Sequence, residues 1–204
     1  MIHVYGDSHA YMNFKNLSIP YIDHHKSNIT MYRIGRDNMI INFNKDDHNE
    51  HSIICMVYGE IDCRCHIQKQ INLGNDEDAI IRELVDRYIT TIQQHVIHYR
   101  KIILVGVIPP TKQIDYETIN GPITHEYPFV GSDENRVRYT YKLNQLLENR
   151  CEQYDFIYFN PHMGYTRDDG TLQYERSDQT VHLGDNSIFL KKFIELYESI
   201  KQIP

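Results

Sequence analysis

The sequence predicts an α/β domain of three layers, with helices on both faces of a five-stranded parallel sheet. Three observations carry that expectation. Short apolar runs alternate along the chain with longer stretches of helical period. The runs are mostly continuous rather than alternating, which suits strands buried on both faces. Each run also stops at a glycine, a proline or a polar cluster, and the helices that alternate with the runs predict crossover connections. The 204 residues, 41% hydrophobic and 24% charged, suit one domain spanning 1–204 with a core of its own.

Ile2, Val4 and Tyr5 read as a first strand, and Gly6 permits a sharp exit from it. Residues 9–18 suit a short helix ended by Pro20, and Tyr21 to Asn28 reads as a polar loop. Thr30 to Ile34 is expected as the second strand, closed by Gly35. A charged, Asn-rich connection follows, with a helical piece expected near Asn38–Phe43. Ser52 to Tyr58 is a buried third strand, stopping at Gly59.

The clearest helix is expected over 76–99. Ile81, Leu84, Val85, Tyr88, Ile89, Ile92, Val96 and Tyr99 keep the spacing of one buried face. Asn75 suits its N-cap, while Arg100 and Lys101 complement its negative end. Ile102 to Ile108 forms the fourth strand, terminated by Pro109-Pro110. After a loop over 111–131, Ser132 caps a helix to about Arg150, with Val137, Tyr141, Leu143, Leu146 and Leu147 inward. Phe156 to Phe159 is the fifth strand. A loop over 160–185 and a closing helix over 186–201, buried through Phe189, Phe193, Leu196, Tyr197 and Ile200, complete the chain.

Composition narrows the function. Twenty-one basic against 28 acidic residues give a net charge of −7, which argues against nucleic acid as a main partner. No apolar run approaches membrane-spanning length, so no membrane partner is expected. Ile2 already belongs to a strand, leaving no room for a secretory leader. The four cysteines lack the spacing of a disulfide scaffold, and a cytoplasmic protein with reduced thiols is the expectation. Cys63-Arg64-Cys65-His66 lacks a second ligand pair at zinc spacing, so neither a metal nor another cofactor is expected.

In a parallel sheet the carboxyl ends of all strands lie along one edge, where open α/β folds collect their chemistry. Ser8 stands there, either as a nucleophile or as the cap of the next helix. The last loop carries Ser177-Asp178-Gln179-Thr180-Val181-His182. An Asp four residues before a His falls on one face of a helical turn, which lets a carboxylate orient an imidazole towards a serine. Ser8, His182 and Asp178 then read as nucleophile, general base and orienting acid. His162 is the rival base and Asp185 the rival acid.

These residues resemble the SGNH (GDSL-type) hydrolase superfamily, in order and along the whole chain. Gly6-Asp7-Ser8-His9 resembles its nucleophile motif, Gly35 falls where the family keeps an oxyanion-hole glycine, and Asp178 with His182 resembles its late Asp-x-x-His element. Gly59-Glu60-Ile61-Asp62 resembles its Gly-x-Asn-Asp segment, with Ile61 in place of the oxyanion Asn. The resemblance implies a flavodoxin-like sheet, the catalytic residues Ser8, Asp178 and His182, and an oxyanion hole from the Ser8 and Gly35 N–H groups. It implies ester hydrolysis, commonly of acetyl esters on sugars, so a small-molecule or glycan ester is the expected substrate. Acyl transfer by the same triad and a catalytically weak glycan-binding domain are the alternatives. Arg64 and His66, close in sequence to Ile61, are candidate oxyanion or substrate contacts. The Asp-to-His spacing is one residue longer than the family's. Asp7-Ser8-His9 also resembles the opening of metallophosphoesterases, but Pro109-Pro110 stands where their Gly-Asn-His element would follow.

Overall fold

A computed structural model describes residues 1–38, 41, 51–96, 101–124 and 127–202. Five parallel strands, β1 (Ile2–Gly6), β2 (Tyr21–Asp23), β3 (Ile53–Val57), β4 (Lys101–Val105) and β5 (Ile157–Phe159), form one sheet in the order β2-β1-β3-β4-β5. Every residue of β1 and β3 is buried, as the continuous apolar runs require. From β1 the chain moves outward to β2, then returns across β1 to build β3, β4 and β5. The strand order therefore reverses between β1 and β3, and their carboxyl ends open a crevice.

Side chains alternate across the strands and feed two cores. On one face, Ile2, Val4, Cys55, Ile103 and Val105 pack with α1 (Ser8–Phe14) and α7 (Ser187–Lys201). Phe14 meets Phe193 edge-on there, with ring centroids 4.8 Å apart. On the other face, Tyr5, Ile54, Met56, Ile102 and Leu104 pack under α2 (Met31–Arg36), α4 (Glu77–Val96) and α6 (Asp133–Tyr154). Two shorter helices, α3 (Ile67–Asn72) and α5 (Gln113–Asn120), complete the described helical elements with a π-helical turn over Asp62–His66 and two 3₁₀ turns.

The second strand differs from expectation. Thr30 to Ile34 is not a strand; Met31–Arg36 is helical. The Thr30 hydroxyl accepts the Arg33 N–H at 3.1 Å, and Asp62 accepts the Met31 N–H at 2.8 Å, so two caps serve its first turn. The second strand is instead Tyr21–Asp23, a three-residue edge strand that leaves Ile22 and Asp23 exposed. Half-solvated edge positions carry no apolar run, which is why this segment reads as a loop.

The helices follow their periodicity with local adjustments. Ile81, Leu84, Val85, Tyr88, Ile89 and Ile92 are buried on α4, while Tyr99 and Arg100 lie outside the described residues and Lys101 already begins β4. Asp76, not Asn75, accepts a first-turn N–H, that of Ala79. Most of Asn38–Phe43 lies outside the described residues. On α6 the buried stripe is Arg136, Tyr139, Thr140, Leu143, Leu147 and Cys151, and Tyr141 is 65% exposed. Burying Arg136 turns the face: its guanidinium donates to the Gly131 carbonyl, pairs with Asp133 and lies over the Phe129 ring. On α7, Phe189, Phe193 and Ile200 are buried, with Leu196 and Tyr197 packed half-buried beside them. No described helix is long and apolar enough to cross a membrane.

Candidate active site

Gly6 is what lets Ser8 stand at the crevice. A Cβ on Gly6 would come within 2.6 Å of the Val57 carbonyl oxygen and against the side chain of Ala10, so only glycine allows β1, β3 and α1 to meet so closely. Asp7 caps α1 by accepting the His9 N–H at 2.9 Å, and Ala10 N–H returns to the Asp7 carbonyl at 3.0 Å. Ser8 is the first helical residue, whose N–H has no intrahelical acceptor. Burial holds the Asp7 carboxyl well above its usual value, despite the His9 N–H bond.

The loop after β5 brings His182 to this serine. Ser8 Oγ lies 2.8 Å from His182 Nε2. The other ring nitrogen, Nδ1, faces Asp178 Oδ2 at 3.3 Å and Thr180 Oγ at 2.8 Å. Thr180 in turn donates to Asp178 Oδ1 at 2.5 Å. Burial works to raise the Asp178 carboxyl, but His182 and Thr180 outweigh it and bring it down to about 2. The segment is not the helical turn that its spacing suggests. It is a loop closed by the Asp178 N–H on the His182 carbonyl at 3.1 Å, beside a bridge between Ser177 and Leu183. The three residues expected as a triad are thus brought together by a different local geometry.

The turn after β3 supplies the opposite wall. Gly59 has φ +117°, and a Cβ there would lie 2.7 Å from Val107 Cγ2. Glu60 and Arg64 form a buried pair, Nε to Oε1 2.8 Å, and Glu60 Oε2 lies 3.3 Å from His9 Nε2. Burial alone would raise the Glu60 carboxyl, yet Arg64 and His9 hold it far below the usual range. Burial and the neighbouring His182 lower the His9 imidazole, opposed by Glu60. The His9 ring leans on the His182 ring at 4.5 Å between centroids.

The residues expected around the oxyanion part company. Gly35 lies in α2, against α4: a Cβ there would come within 2.8 Å of Arg87 Cβ. It therefore serves close packing of two helices and does not line the cleft, because the strand expected to deliver it there is a helix. Arg64 reaches the cleft with its guanidinium committed to Glu60 and the Tyr127 carbonyl. His66 is not part of the cleft lining; its Nδ1 lies 3.3 Å from Asp62 and its ring meets Tyr127 edge-on.

The cleft over Ser8 measures about 370 Å³. Ile61, Ile123 and Val181 give it apolar surface, and Tyr116 and Tyr127 an aromatic one. Sequence reasoning missed Asn28, which lines the same cleft from the loop after β2 with φ +65°. A left-handed residue between a strand and a helix cap is usually Gly or Asn, and that was its available signal. His162, the rival base, is buried with Nε2 donating to the Gly106 carbonyl at 2.9 Å, and burial pushes its imidazole down to about 4. Asp185, the rival acid, pairs with Arg176 at 2.8 Å and caps Ser187. All four cysteines are buried thiols, and among the described residues no three His, Cys, Asp or Glu side chains gather as a metal site.

No family model matches the chain, and no curated protein does. Solved structures do. A GDSL-like lipase from Bacteroides thetaiotaomicron superposes with a TM-score of 0.62 at 12% identity, over 100% of this chain and 88% of its own. A catalytic mutant of an acetylxylan esterase from Geobacillus stearothermophilus gives 0.62 at 11% identity, over 95% and 92%. This chain has the SGNH hydrolase fold. A third chain with that fold, the C-terminal domain of the Drosophila Oskar protein, superposes at 0.56 with 11% identity over 95% and 85%. The SGNH fold sets Ser8, Gly59 and His182 along the carboxyl edge of one sheet, after β1, β3 and β5 respectively.

Proposed function

We propose that the chain is a serine esterase of the SGNH type that removes a short acyl group, acetyl above all, from a carbohydrate hydroxyl. The observation that carries this reading is the 2.8 Å contact of Ser8 Oγ with His182 Nε2, backed by Asp178 on the far side of the ring. His182 takes the Ser8 proton as Oγ attacks the ester carbonyl. The tetrahedral intermediate collapses, the C–O bond to the sugar breaks, and His182 returns the proton to the leaving hydroxyl. Water, activated by the same imidazole, then releases the acid from Ser8.

The oxyanion needs donors aimed at where charge develops. The Ser8 N–H is one. Asn28 is the second in this reading, its amide standing in for the one that Ile61 cannot offer. Ile61, Ile123 and Val181 suit a short acyl chain, and Tyr116 and Tyr127 offer faces on which a sugar ring stacks. The acetylxylan esterase among the structural neighbours is consistent with that substrate class.

Acyl transfer is the second reading. It is favoured by α5 and the residues after it, since Tyr116, Ile123 and Tyr127 lie over the cleft where a water-excluding cover would sit. Turnover of p-nitrophenyl acetate by wild type and Ser8→Ala tests the main reading. Hydrolysis that disappears in Ser8→Ala supports it. A product ratio that swings to the transferred ester when a sugar alcohol is added favours transfer. Sugar binding with no Ser8-dependent turnover would replace both with a glycan-binding domain.

A further inference from the structure

The Asp178 carboxylate does not sit squarely on the imidazole: Asp178 Oδ2 is 3.3 Å from Nδ1. The nearer oxygen is that of Thr180, at 2.8 Å. A threonine hydroxyl has one proton, and here it goes to Asp178 Oδ1 at 2.5 Å. Asp178, held ionised, can only accept, so the Thr180 oxygen turns a lone pair to His182 and accepts its Nδ1–H.

We infer that Thr180 is a positioning residue, linking Asp178 to His182 through its hydroxyl and fixing the imidazole as the Nδ1–H tautomer. The inference rests on the esterase reading for its kinetic arm only. The chain Asp178–Thr180–His182–Ser8 leaves the Nε2 lone pair facing the serine hydroxyl, which general-base chemistry requires. It also gives the positive charge that forms on His182 an oriented dipole, with the full carboxylate one bond further on.

The backbone holds Thr180 in this role independently of its side chain. Its own N–H donates to Asp178 Oδ1 at 2.9 Å, and its carbonyl accepts the Thr111 hydroxyl at 3.4 Å. Gln179 before it has φ +67°, and its carbonyl takes the Asn120 amide at 2.7 Å and the Tyr174 hydroxyl at 2.5 Å. The turn is tied from three sides, so a valine at 180 deletes one oxygen with little change of shape.

The test compares Thr180→Val, Thr180→Ser and Ser8→Ala in the full chain. Kinetics on p-nitrophenyl acetate are read alongside ¹⁵N NMR of labelled histidine. Thr180→Val is expected to lower kcat about 10–100-fold with KM within about 3-fold, the scale of one lost bond to a charging group. It should also raise the Nε2–H population of His182. Thr180→Ser should restore both kcat and tautomer, because it keeps the hydroxyl and drops only the methyl. Thr180→Val with wild-type kcat and tautomer overturns the inference, as does Thr180→Ser as impaired as Thr180→Val. If the wild type has no Ser8-dependent turnover, the esterase reading falls, and the tautomer comparison still decides the role of Thr180.

Discussion

Asp178 and His182 meet across a closed loop, with Oδ2 3.3 Å from Nδ1 and the Asp178 N–H on the His182 carbonyl at 3.1 Å. His182 and Thr180 bring the carboxylate down to about 2, so it is ionised near neutral pH. An Asn at this position keeps the shape but removes the negative charge that faces Nδ1 and accepts the Thr180 hydroxyl. Asp178→Asn is therefore expected to lower kcat by about 10²–10⁴ while KM moves little. Steady-state kinetics check this; a loss confined to KM would make Asp178 a substrate contact instead.

The oxyanion proposal distinguishes Asn28, which lines the cleft, from Gly35, which packs against α4. Asn28→Asp keeps size and backbone but removes the amide donor, and Asn28→Gly keeps the left-handed backbone alone. Both are expected to cost about 10–10³-fold in kcat. Gly35→Ala should lower Tm by crowding Arg87 while leaving kcat unchanged. Full activity in Asn28→Asp removes Asn28 from the hole.

Arg64 is expected to matter for folding first. Glu60 and Arg64 are a buried pair, and truncating one partner leaves the other charge uncompensated. Arg64→Ala should destabilise the chain by about 3–5 kcal/mol in denaturant unfolding, more than its loss of activity in the surviving folded fraction implies. A fully stable Arg64→Ala protein with 10²-fold lower kcat would point back to a direct role at the oxyanion.

Glu77 ties α4 to α6 through Arg138 at 2.9 Å and Lys142 at 2.8 Å, and these partners bring its carboxyl down to about 2. A depressed carboxyl stabilises fully above its unfolded value, and the contribution disappears as pH falls through the folded one. The Tm gap between wild type and Glu77→Gln is expected to be about 1–3 °C at pH 7 and to close between pH 4 and pH 2. A gap that does not change over that range contradicts the ion-pair account.

Much of this architecture is legible in the sequence because burial on both faces leaves a plain signature. The runs at Ile2–Tyr5, Ser52–Tyr58 and Ile102–Ile108 correspond to β1, β3 and β4, and the stripes on α4 and α7 correspond to their packed faces. What escapes is decided by contacts distant in sequence. Thr30–Ile34 becomes helical because Asp62, 31 residues later than Met31, caps its first turn. Tyr21–Asp23 is an edge strand with too few buried positions to form a pattern. Gly35 lies away from the cleft because the segment that carries it is helical and packs against α4. Ser8 can be singled out from sequence because it follows the first buried run, and Asp178 and His182 because they share one short segment, whereas the contact of Thr180 with His182 exists only in the folded loop.

The central claim is that Ser8 is a nucleophile activated by His182. Intact-mass and peptide mass spectrometry after treatment with a fluorophosphonate test it most directly. The account predicts a single adduct on Ser8, absent in Ser8→Ala and formed at least about 10²-fold more slowly in His182→Asn. An unlabelled wild-type Ser8, or labelling unaffected by loss of His182, would contradict it.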